Sequence, residues 1–135
     1  MDRKNLKKKT ESEEILAENR GEDTLFQRRE NLQKHTSYAS ERMQYEAIRN
    51  GQPERIRSVM QRELDGTPGI LSKNQLRNSK NMFIAGITLF TRAAIEGGVP
   101  EETAYSLSDG YIQTVEECMD RESIEKLSRK AAERF

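Results

Sequence analysis

NMFIAGITLFTRAAIEGG, residues Asn81 to Gly98, sets the architecture expected of this chain. Met82 to Thr91 carries no charge, although charged residues make up 34% of the protein. On a helix of 3.6 residues per turn, Phe83, Ile87, Phe90 and Ala94 share one face. Met82, Ala85, Leu89 and Ala93 share a second, and Ile84 and Ile95 a third. A helix apolar nearly all round belongs in the middle of a packed structure. A bilayer span needs about 20 predominantly apolar residues. This run is broken by Arg92 and Glu96 and closed by Gly97-Gly98, so it reads as the buried central helix of a bundle.

The neighbouring segments fit that frame. Ser72 with Gln75 has the form of a capping box, which predicts a central helix over about 73–96. Before it, His35 to Asn50 begins with the capping run His-Thr-Ser and carries Tyr38, Met43, Tyr45, Ala47 and Ile48 at helical spacing. Asn50-Gly51 stops that helix, and Pro53, preset for a first helical turn, starts the next, which is the signature of an αα-hairpin. The second arm shows a stripe of Ile56, Val59, Met60 and Leu64, ended by Asp65-Gly-Thr-Pro-Gly69. After the central helix, Pro100 with Glu101 and Glu102 opens a helix with Ala104, Ser108, Tyr111, Val115 and Cys118 on one face. Asp120 caps a last helix whose apolar positions are Ile124, Leu127, Ala131 and Phe135. No segment alternates β-branched residues between turns. The fold class expected is all-α: a single-domain bundle of five or six helices.

Composition bounds the rest. The chain has 135 residues, of which 33% are hydrophobic, and 23 basic residues balance 23 acidic ones. No net field draws it toward nucleic acid or an anionic membrane. The charge is unevenly placed. Arg3, Lys4, Lys7, Lys8 and Lys9 crowd the N-terminus, whereas Met82 to Asp120 holds Glu96, Glu101, Glu102, Asp109, Glu116, Glu117 and Asp120 against Arg92 alone. Residues 1–34 have little apolar periodicity, which predicts either disorder or a loosely helical, solvated segment that orders on a partner. Residues 35–135 are the expected bundle. Cys118 is the only cysteine, so no internal disulfide forms, and with no signal-peptide core the chain reads as cytoplasmic.

Catalytic signatures are missing. There is no Gly-rich phosphate loop, nucleophile elbow, H-E-x-x-H or C-x-x-C. One cysteine and one histidine, His35, make no metal site, and no cofactor is expected. The adjacent pairs Glu101-Glu102 and Glu116-Glu117 diverge by about 100° on a helix. His35 lies in a capping region, where an exposed histidine is ordinary and a phosphotransfer histidine in mid-helix is not. The chain is therefore read as a non-enzyme. One polar cluster stands out: Thr88, Thr91, Arg92 and Glu96 on the central helix against Ser106, Ser108, Asp109 and Tyr111 on the next. Two readings stay open. In the first, Arg92 pairs with Asp109 or Glu96 while the hydroxyls bond carbonyls one turn back. In the second, Arg92, Asp109, Thr88 and Tyr111 line a small-molecule pocket in which Arg92 anchors an anionic effector.

Three blocks, RNSKNMF (Arg77 to Phe83), TRAAIEGGV (Thr91 to Val99) and AYSLSDGYIQ (Ala104 to Gln113), are similar in order and spacing to the middle, regulatory region of a subset of bacterial AraC-type transcriptional regulators. The resemblance takes in the αα-hairpin and covers roughly Thr36 to Phe135. It implies a helical module that receives or transmits a signal, helps the regulator to form a homodimer, and precedes a pair of DNA-binding helix-turn-helix units. DNA contact would belong to those units, which this sequence lacks; its helical stripe runs to Phe135 without a polar tail, as expected of a piece of a longer regulator. No β-rich sensor domain is visible, so no sugar-binding residue transfers to this chain. A stand-alone helical adaptor, docking a partner protein through the charged N-terminal segment, is the alternative.

Overall fold

The computed structural model describes residues 2–61 and 66–135. Those residues contain six α-helices and no strand: α1 Arg3–Glu30, α2 Tyr38–Arg49, α3 Pro53–Gln61, α4 Gln75–Glu96, α5 Glu101–Glu117 and α6 Arg121–Arg134. They form two units, Met1–His35 and Thr36–Phe135. The division falls one residue after the expected one. None of the described helices is long and apolar enough to cross a membrane.

The first unit is α1. Asp2 caps it by accepting a hydrogen bond from the Lys4 N–H, and Arg28 and Arg29 lie favourably in its last turn. None of its residues is buried. Leu6, Ile15, Leu16, Leu25 and Phe26 are all about half exposed, because their spacing distributes them around the helix.

The second unit is the bundle. Its central element is α4, which packs against α2, α5 and α6, while α3 bridges α2 and α6. The core gathers Ala47 and Ile48 of α2, Ile56 of α3, Phe83, Ile87, Phe90, Ala93 and Ala94 of α4, Val115 of α5, and Ile124, Ala131 and Ala132 of α6. The α2–α3 turn forms as expected: Asn50 caps α2 and Gly51 takes a positive φ of 60°. Of the α3 stripe, Ile56 and Val59 are buried and Met60 partly so, whereas Leu64 lies outside the described residues.

Two expectations about α4 need correction. The helix begins at Gln75 and not at 73, because its cap is Asn74, whose side chain accepts from the Arg77 N–H at 2.8 Å. Ser72 instead accepts from the Asn74 N–H, one step outside the helix. Nor is α4 enclosed all round. Three helices cover it, and a strip of Met82, Ala85 and Leu89 faces outward, with Met82 38% and Leu89 43% exposed. The termination is as expected: Glu96 is the last helical residue and Gly97 the C-cap. At Gly97 a Cβ would run into the Arg49 backbone carbonyl, so the ends of α2 and α4 meet there only because the side chain is absent.

Candidate functional site

The four residues proposed for a pocket are spread over two helices. Thr88 is exposed, and its hydroxyl donates to the Ile84 carbonyl on its own helix at 2.9 Å. The buried Thr91 does the same to Ile87 at 2.7 Å. Arg92 is also exposed, and its guanidinium pairs with neither Asp109 nor Glu96. It stacks over the Tyr105 ring, 5.1 Å from the centroid. Tyr111 is half-buried and packs against Phe135, with ring centroids 6.2 Å apart. Asp109 is exposed on α5 and joins no ion pair among the described residues. The local hydroxyl bonds follow the first of the two readings, but the partner of Arg92 is an aromatic face and not a carboxylate. His35 is exposed and outside any helix. No group of three or more metal-ligating side chains occurs among the described residues.

A different site emerges one face further round α4. A groove of about 650 Å³ runs between α4, α6 and the segment that leads into α4. Its floor is Phe83, Ile87 and Phe90 of α4 with Ile124 of α6. Along its edge lie the hydroxyls of Ser72, Ser79 and Ser128, the Gln75 amide and three charged groups, Lys73, Arg121 and Glu125. None of Arg92, Asp109, Thr88 or Tyr111 lines it.

Local interactions explain why the groove exists. Gly86 lines it in mid-helix, and a Cβ added there would meet nothing within 4 Å. Glycine inside a helix costs about 1 kcal/mol relative to alanine, and here it leaves open space directly over the helix backbone. Asn78 fixes the opposite wall. Its Oδ1 accepts from the Leu71 and Ser72 N–H groups, and its Nδ2 donates to the Gly69 carbonyl at 3.3 Å. Three hydrogen bonds from one side chain thus hold residues 69–72 beside α4.

The start of α4 is in turn tied to the end of α5. The mostly buried Lys80 donates from Nζ to the Glu116 carbonyl at 2.7 Å, putting a cation on the last turn of α5, where the helix dipole favours one. Arg77 bonds the Glu116 carboxylate at 3.0 Å, which holds that carboxyl below its ordinary range. Four residues after Glu117, Arg121 opens α6. At Asp120, the α6 cap, the backbone N–H of Ser123 likewise holds the carboxyl low.

Sequence reasoning did not find this groove. The signals were Gly86 within an otherwise apolar helix and Asn78 one turn into it, both of which read as neutral in the sequence. Compared with known proteins, the chain matches no family model, no curated protein and no solved structure.

Proposed function

We propose that the chain is the signal-receiving module of an AraC-type transcriptional regulator, able to self-associate and to relay a bound effector to a DNA-binding helix-turn-helix domain. The observation that carries this reading is a coincidence of limits. The three sequence blocks and the hairpin resemble that family over Thr36 to Phe135, and Thr36–Phe135 is also the compact unit. Residues inside the blocks have architectural work: Arg77 and Lys80 build the α4–α5 joint, Asn78 holds the segment beside the groove, and Gly97 permits the α2–α4 contact.

The groove supports the signalling part. Its walls are α4 and α6, and α6 is the helix that would lead into the DNA-binding domain. A ligand that changes the α4–α6 spacing therefore acts on the connecting element, provided it binds the two arrangements with different affinity. DNA binding belongs to the following domain, and the module itself needs no membrane.

The coding sequence after Phe135 tests the assignment: paired helix-turn-helix units are expected, and a stop codon without them overturns it. Sedimentation across a concentration series tests self-association separately. A second reading, a protein-docking adaptor, is favoured by α1, which carries five large apolar side chains and buries none of them. Binding of a partner to the full chain and its loss on deleting residues 1–35 would support the adaptor.

A further inference from the structure

We propose that the α4–α6 groove is a binding site for an amphiphilic monoanion, a molecule with an apolar tail and a single carboxylate head. This deepens the effector reading above, on which it rests for its biological role but not for its chemistry. The volume, about 650 Å³, is that of a small-molecule site. Gln75 and Phe90 both line it and lie about 22 Å apart along α4, so it suits an elongated ligand. The lining is mixed, with an apolar floor and polar groups along its edge, of which Ser128 lies one turn past Ile124 on α6. Phe83, Ile87, Phe90 and Ile124 offer only hydrocarbon, and the open space at Gly86 lets a chain lie against the helix itself.

The charged groups of the lining come from the start of α6 and the approach to α4. Lys73 and Arg121 against Glu125 leave one positive charge in excess. Lys73 has no ion-pair partner among the described residues. Arg121 is held only by Glu125, at 3.0 Å, in a pair whose side chains are 77% and 52% exposed. An exposed pair of this kind contributes little and opens readily. Of the neighbouring acids, Asp120 caps α6 through Ser123 and Glu122 has Lys126 at 3.2 Å, while Glu117, at the end of α5, is outside the groove lining. A carboxylate head placed between Lys73 and Arg121, with Ser72 and Gln75 as further donors, satisfies the charge, while the tail covers the floor.

The full chain is titrated by calorimetry with three probes below their micelle concentrations: decanoate, decanol and decyltrimethylammonium. Decanoate should bind saturably at one site, and decanol roughly tenfold more weakly, the difference expected for a charge-assisted contact. The cationic probe should bind weakest. Gly86→Leu keeps a good helix former at the position and fills the groove, so it should abolish decanoate binding with the helical circular dichroism unchanged. Gly110→Leu, on α5 outside the groove, should leave the affinity as it was. Should Gly86→Leu fail to fold, Lys73→Glu with Arg121→Glu, both exposed, should remove the preference for decanoate over decanol. Equal affinity for all three heads overturns the ligand class. No binding, or undiminished binding by folded Gly86→Leu, overturns the site. Neither failure touches the regulator assignment, which stands or falls on the sequence after Phe135.

Discussion

Lys80 shows how a single residue can hold two helices in register. It is 9% exposed, and its ammonium finds the Glu116 carbonyl at 2.7 Å, so a buried charge is satisfied by an orphan acceptor at a helix end. Lys80→Met keeps the stem packing and removes the donor. We expect it to destabilise the bundle by about 1 to 2 kcal/mol, read by urea denaturation. Glu116 and Asp120 add a pH dependence at the same joint. Their carboxyls are held below the ordinary range in the folded state, by Arg77 and by the Ser123 N–H. Stabilisation by such groups is complete above the unfolded pKa and is lost as pH falls through the folded one. The melting temperature should therefore fall below about pH 4, and Arg77→Met should shrink the Glu116 share of that fall. Gly97 makes the opposite kind of contribution, through what it lacks. Gly97→Ala puts a methyl group against the Arg49 carbonyl, and the shift it forces should cost about 1 to 3 kcal/mol in the same denaturation assay.

At the level of helices, most starts and stops were legible because their chemistry is local. Ser37 and Asp120 cap α2 and α6, each accepting from a backbone N–H three residues on, and Pro53 and Pro100 mark the starts of α3 and α5. The start of α4 was misplaced by two residues because Ser72 and Asn74, two positions apart, are both residue types that cap helices. Which one caps depends on Asn78 holding the preceding segment, a tertiary fact. The faces of α5 and α6 were readable from periodicity, and those of α4 only in part. An apolar residue on every face does not say which faces find a neighbour, and among the described residues the helices packed on α4 are α2, α5 and α6. For the same reason the groove escaped notice: it is a space between helices, and spaces leave no periodic trace. Gly110 offers a clean control on helix propensity. It is exposed in α5, and a Cβ there would meet nothing within 4 Å. Gly110→Ala should raise bundle stability by about 0.5 to 1 kcal/mol without altering any contact, measured as a shift of the denaturation midpoint at constant slope.

Across the whole chain, each of the two units is stabilised by its own physics. In Thr36–Phe135 the described buried residues run from Ala47 to Ala132 and come from all five helices of the unit, so cooperativity comes from shared burial. In α1 no residue is buried, and hydrogen bonds, the Asp2 cap and the two arginines of the last turn act without a core beneath them. Helices without tertiary burial melt gradually, since nucleation is costly and each further residue adds little. The charged N-terminal segment was expected to be either disordered or a solvated helix, and its composition cannot separate these, because the same side chains solvate both. Deleting residues 1–35 should thus leave the melting temperature of the bundle within about 2 °C while removing a helical signal that declines smoothly with temperature. Circular dichroism of the full chain minus that of the shortened one isolates this signal. A drop in the bundle's melting temperature by more than about 5 °C, on the order of 1 kcal/mol for a domain of this size, would mean that α1 buries surface it is not seen to bury. A sharp sigmoidal difference curve would place α1 in the cooperative unit, and would remove the ground for treating it as a free docking element.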